Sequence, residues 1–191
     1  GSFANMKLGE FQVYNTALTP TQVLNNYNLT RDKYGAPPSG YALGVKADRY
    51  TQGYFADDLT WFDGRVPTST TYPTDKIEDP VSDDGSSFSR RWTGYFKAPT
   101  SETYTFYTSS DDSSWMWLGA NAVSGWSSGN ALVDNSGLHG SRERSGTVTL
   151  TAGEFYPILV LFGELGGGDF LTLNYSTPTI TKTTALTAAA G

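Results

Sequence analysis

Adjacent aspartates occur at three places in this 191-residue chain: Asp57-Asp58, Asp83-Asp84 and Asp111-Asp112. Two neighbouring carboxylates can hold a hard cation, or they can do no more than solvate a turn. Asp83-Asp84-Gly85 falls in a Ser-rich stretch, where Asp-Gly reads as turn chemistry. Asp57-Asp58, between Tyr54-Phe55 and Trp61-Phe62, reads as a surface loop beside a strand. Asp111-Asp112 differs, because patterned segments flank it on both sides and hold its loop at a rim of whatever they build. The chain has no cysteine and one histidine, His139, which reads as a loop residue. Thiolate nucleophiles, disulfide frameworks, iron–sulfur clusters and ordinary zinc sites are thereby excluded. Oxygen ligands are plentiful, so a metal here is a hard one, calcium or magnesium.

The same residues argue against an enzyme. A glycosidase needs carboxylates ~5–5.5 or ~6.5–9.5 Å apart across the bond it cuts, which neighbours sharing one metal do not provide. A Ser-His-Asp set can form only around His139, and no nucleophile motif accompanies it.

The elements that must position Asp111-Asp112 are strands. Only 17% of residues are charged, and 19 Ser with 25 Thr put a small hydroxyl at 44 of 191 positions. Strand and turn formers dominate over Ala, Leu, Glu and Lys, so the fold class is all-β. Arg91–Lys97, Glu102–Ser109, Trp115–Leu118, Gly146–Leu150, Phe155–Gly163 and Phe170–Ser176 are the clearest strands. Tyr104 and Phe106 alternate with Thr103, Thr105 and Tyr107. Short strands with turns such as Ala98-Pro99-Thr100-Ser101 between them imply a sandwich or barrel. Trp115 shares a strand face with Trp117, and Met116 shares the other with Leu118; one of these sets must be core.

Net charge is −6, from 13 basic and 19 acidic residues, and no basic stripe suits a phosphate backbone. Nucleic acid is excluded as a partner. The longest apolar run, Tyr156–Phe162, has strand length, so membrane insertion is not expected. An acidic, Ser/Thr-rich chain without cysteine fits an extracellular protein at a cell or virion surface. Gly1-Ser2 reads as a cloning remnant. Residues 3–34 contain a strand pattern at Leu8–Tyr14 and a short helix opened by Thr19-Pro20. The Pro/Gly-rich stretch 35–40 reads as a linker, 41–178 as the main domain, and 179–191 as a C-terminal linker or tail.

Ordered blocks then become specific. They are Phe88-Ser-Arg-Arg-Trp-Thr-Gly-Tyr-Phe96, Thr103-Tyr-Thr-Phe106, Thr108-Ser-Ser-Asp-Asp-Ser-Ser-Trp-Met-Trp-Leu-Gly119, Gly146–Glu154, Tyr156-Pro-Ile158, Gly163-Glu-Leu-Gly-Gly-Gly168 and Leu171-Thr-Leu173. In this order they resemble the PA14 domain, in its GLEYA-like, adhesin-type branch. The segment 3–34, with Gly-Glu-Phe-x-Val-Tyr-Asn-x-Ala-Leu-Thr, resembles the last strand and helix of a laminin-G or concanavalin-like domain. The PA14 resemblance implies an antiparallel β-sandwich. It also implies a calcium gripped by Asp111 and Asp112 across a cis peptide that turns both carboxylates to one side. By position it carries the remaining ligands to Glu164 and to backbone carbonyls near Gly166 and Gly168. Family members have Asn where this chain has Glu164, so the residue either ligates, leaving a net charge of −1 around the ion, or points elsewhere.

Calcium that takes two hydroxyls selects vicinal diols, so fucose, mannose, glucose and galactose all qualify. The ligand-facing set is Asp111, Asp112, Gly167, Trp115 and Trp126. Trp115 follows the pair closely enough to wall the site. Trp126, in the long irregular insertion Ala120–Ser145, either stacks on a sugar ring or packs over the sandwich edge. Asp169 is a reserve ligand or an exposed loop carboxylate. The expected function is a calcium-dependent lectin module, monomeric within a larger surface adhesin or phage structural protein. The alternative is a spacer that keeps the scaffold and binds no sugar.

Overall fold

The computed structural model describes residues 45–74, 76–82 and 87–184. The expected strand and helix of 3–34, the linker 35–40, Asp83-Asp84 and residues 185–191 lie outside them. Among the described residues ten strands form: β1 (Val45–Tyr50), β2 (Ser69–Thr74), β3 (Glu78–Ser82), β4 (Phe88–Lys97), β5 (Glu102–Asp111), β6 (Ser113–Leu118), β7 (Val133–Asn135), β8 (Arg142–Leu150), β9 (Phe155–Glu164) and β10 (Asp169–Ser176). Six lie in one sheet in the order β2-β1-β4-β9-β6-β7 and four in the other as β3-β10-β5-β8. Every paired neighbour is antiparallel. The fold is the antiparallel β-sandwich.

Alternation explains the four-stranded sheet. Along β5, Tyr104, Phe106, Thr108 and Ser110 are buried, while the residues between them are not. In the core between the sheets, Phe96 meets Tyr104, Phe106 and Tyr175 edge-on at 5.6, 5.2 and 5.2 Å. Each such contact adds ~0.5–1.5 kcal/mol to the burial itself.

The six-stranded sheet is buried on both faces, so its central strand β9 reads as a continuous apolar run. Ile158, Val160 and Phe162 face the inter-sheet core. Leu159 and Leu161 face a second cluster with Tyr50, Phe55, Phe62, Trp115 and Trp117. Both faces of β6 are therefore core, where the sequence suggested a choice between them.

The insertion expected to be irregular over Ala120–Ser145 carries two short 3-10 helices, β7 and the start of β8. Residues 179–184 pack back on the domain. Thr183 bridges Tyr175 through two 2.9 Å backbone hydrogen bonds, and Lys182 pairs with Glu143 at 2.5 Å.

Gly146, in β8, sits where a Cβ would lie 1.8 Å from the Leu132 carbonyl oxygen. Backbone cannot give way as a flexible side chain does. Gly146→Ala is expected to cost ~1–3 kcal/mol, the usual range for overpacking, read as a lower urea midpoint with an unchanged slope.

Candidate metal centre

Two of the connections between the sheets bring acidic residues to one end of the sandwich. β5 ends at Asp111 in the four-stranded sheet and β6 begins at Ser113 in the other, so Asp112 alone carries the chain across. The loop expected around the pair is thus a single residue. β9 and β10 make a second crossing through residues 165–168. Strand register sets the crossings side by side: Asp111 faces Phe170 in one sheet, and Ser113 faces Gly163 in the other. Asp111, Asp112 and Glu164 therefore converge, with one carboxylate oxygen from each within 4.8 Å of the others. The Asp111–Asp112 peptide is cis.

The trio is held from behind. Asp112 Oδ1 accepts from the His139 N–H at 2.9 Å, and its Oδ2 from the Leu165 N–H at 3.2 Å. Glu164 Oε1 accepts from the Gly166 N–H at 2.6 Å. Glu164 is 1% exposed, and its Oε2 is buried with no hydrogen-bond partner among the described residues. Burial, with the nearby charges of Asp112 and Asp111, pushes the Glu164 carboxyl up to about 7 against the Gly166 hydrogen bond. Burial and the Asp112 charge likewise raise Asp111. Buried carboxylates resist ionisation when no cation compensates them.

A hard divalent ion fits this donor set. Oxygens ~2.3–2.6 Å from one calcium can stand up to ~5 Å apart, so the three carboxylates can share it as they are placed. The loop behind Glu164 is exposed, and Gly166 and Gly167 hold positive φ angles of 154° and 113°. Side chains are disfavoured in that backbone conformation.

The tryptophans are placed otherwise than expected. Trp115 is 4% exposed, with its ring stacked on Trp117 at 5.8 Å and its Nε1 bonded to Asp57, so it presents no open face to a ligand. Trp126 packs edge-on against Trp117 at 5.4 Å. Trp117 lies four residues along β6 from Ser113, ~13 Å at strand rise. Trp126, partly buried, thus packs against the second core cluster and takes the packing alternative. Asp169 is 2% exposed at the start of β10, not an exposed loop carboxylate.

Two further residues carry more than their patterns suggested. His139 contributes its backbone N–H to Asp112. Asp57 accepts from Ser113, from Trp115 and, at 2.8 Å, from the Gly137 N–H. Ala56 and Asp57 adopt left-handed φ angles of 51° and 58°, which no local residue pattern announced.

Residues 88–177, from the first residue of β4 to just past β10, match the GLEYA domain. The match takes in just under half of the chain. No curated protein matches the chain. Among solved structures, the chain is similar to the epithelial adhesin 6 A domain of Candida glabrata in complex with Galβ1-3GlcNAc, at 17% identity and TM-score 0.58, covering 80% of this chain and 88% of that one. It is similar to the PA14 domain of the MpAFP antifreeze protein at 14% identity and TM-score 0.61, covering 80% and 91%. An anti-sigma factor domain-containing protein from Clostridium clariflavum aligns at 22% identity and TM-score 0.57. That alignment covers 75% of this chain, and the chain spans only 45% of the clostridial protein. At these identities the likeness is one of fold. The matched span contains Asp111, Asp112 and Glu164, while Asp57 precedes it.

Proposed function

We propose that this domain is a calcium-dependent lectin of adhesin type, working at an extracellular surface as a monomeric, non-catalytic module. Asp111, Asp112 and Glu164 supply the side-chain ligands, and the carbonyls of Gly166 and Gly168 supply the backbone ones. The observation that carries the reading is the acidic trio, with Asp112 and Glu164 buried and Glu164 Oε2 left without a hydrogen-bond partner among the described residues. When bound, the ion offers coordination positions that two adjacent sugar hydroxyls can fill.

The rest is done by the chain. Hydrogen bonds from His139 and Leu165 fix both oxygens of Asp112 in advance, so little reorganisation accompanies binding. Gly167 puts no side chain over the site. Leu138 and Leu165, 58% and 50% exposed, stand on the two loops whose amides hold Asp112. They offer aliphatic contact to the C–H face of a sugar ring, the role first given to tryptophan. Fucose, mannose, glucose and galactose all carry such diols, and the adhesin 6 A domain in complex with Galβ1-3GlcNAc supports testing galactose-type glycans first.

A glycan array probed in calcium and again in chelator tests this. Galactose-type signals that vanish with chelator are expected. Signals that survive chelator would move the site away from the trio, and a blank array in calcium would leave the domain a spacer.

A further inference from the structure

The acidic trio is reached from behind by one short segment, Gly53–Asp57, and its contacts fall beside each arm of the site. At its start, the Gly53 carbonyl accepts from Ser89 of β4 at 2.8 Å. Next, Tyr54 and Phe55 lie against Gly163, the residue before Glu164. A Cβ on Gly163 would come within 2.5 Å of Phe55 and 2.6 Å of Tyr54. At the end, Asp57 Oδ1 accepts from Ser113 Oγ, on the residue after Asp112, and from Trp115 Nε1 at 2.8 Å. Its other oxygen accepts from the Gly137 N–H at 2.8 Å. Gly137 lies two residues before His139, whose own N–H holds Asp112.

The backbone cost points the same way. Ala56 and Asp57 both lie in the left-handed region, at φ 51° and 58°. Side-chain-bearing residues stay there only when the surroundings over-determine them. Three hydrogen bonds to one carboxylate, from two separate parts of the fold, are such surroundings.

We propose that Asp57 is a positioning residue for the acidic site, tying the Asp112 crossing to the 136–141 loop so that the trio is formed before any ligand arrives. This rests on the calcium reading above, in that Asp57 acts through Asp112 and not as a ligand. Partners behind a metal ligand typically change affinity ~10–100-fold when altered.

Asparagine separates the contacts. In Asp57→Asn the amide oxygen can still accept from Ser113 and Trp115, but the NH₂ group meets the Gly137 N–H donor to donor. Two measurements on wild type and Asp57→Asn test the proposal: calcium affinity by titration calorimetry, and amide hydrogen exchange without calcium. The variant is expected to bind calcium at least ~10-fold more weakly and to exchange faster at Gly137 and His139. Asp48→Asn is the control for stability alone. Asp48, on β1, pairs with Lys46 at 2.7 Å and with Arg91 of β4 at 3.3 Å, so its loss lowers the melting temperature and leaves calcium affinity unchanged. Ser113→Ala, which removes one of the three donors to Asp57, should act in the same direction as Asp57→Asn with a smaller effect, and covers the case of a variant that does not fold. Unchanged affinity and unchanged exchange in Asp57→Asn overturn the proposal. A wild type without calcium heat overturns the calcium reading, and the exchange rates at Gly137 and His139 then still decide whether Asp57 holds the loop.

Discussion

Asp112→Asn is expected to weaken calcium binding by about 100-fold or more, equivalent to about 2.7 kcal/mol, and to remove sugar binding with it. Asp112 is 7% exposed, and each of its oxygens already receives a backbone N–H. Asparagine keeps one acceptor and turns an NH₂ group against the other amide. It therefore removes a ligand charge and releases either the His139 loop or the Leu165 loop. Wild type in calcium at 100 times its dissociation constant gains about 2.7 kcal/mol, which for a domain of this size raises the melting temperature by roughly 5–10 °C. The variant should show no such rise. A calcium-dependent rise retained in Asp112→Asn contradicts the assignment of this residue as a ligand.

Glu164→Gln is expected to have effects of opposite sign on stability and on binding. The Glu164 carboxyl stands at about 7 in the fold, above its ordinary 4.5, chiefly because it is buried. The charged form is thus disfavoured on folding. Below pH 4.5 the group is protonated in both states and carries no penalty. As pH rises toward 7 the unfolded chain ionises it first, so the metal-free protein loses stability, on the order of 3 kcal/mol, and the loss levels off above pH 7. Gln removes that slope. Metal-free Glu164→Gln should therefore melt higher than wild type at pH 8 and nearly together with it at pH 4.5. Its calcium affinity should fall, because the ion needs the deprotonated carboxylate. In wild type, calcium affinity should rise with pH through about 7. Calorimetry with thermal melts at both pH values reads all three effects. A variant less stable than wild type at pH 8 without metal would mean that Glu164 is satisfied structurally.

The parts of this site that depend on strand periodicity were legible in the residues. β5, β9 and β10 announce themselves by alternation or by a run of apolar residues, and the Asp pair between β5 and β6 follows from them. The pairing of the two crossings was not legible, because register is a long-range property. Nothing near Asp111 in sequence says that Phe170 will lie opposite it. The tryptophans misled for a related reason. A sheet buried on both faces hides Trp115 and Trp117 in a second core, and Trp126 covers that core, whereas a one-sided sheet would have left them exposed. Asp57 looked like a solvated turn because its partners lie more than fifty residues away. The backbone twist at Ala56-Asp57 also begins on alanine, which does not advertise it. The carry-over to Glu164 located a residue that the fold does bring to the Asp pair, although its type departs from the family pattern.

The most direct measurement is anomalous diffraction from a crystal grown with calcium and recorded where calcium scatters anomalously. The account predicts one strong peak in contact with a carboxylate oxygen of each of Asp111, Asp112 and Glu164, at ~2.3–2.6 Å. A map with no peak at the trio at millimolar calcium, or with its peak elsewhere, contradicts it.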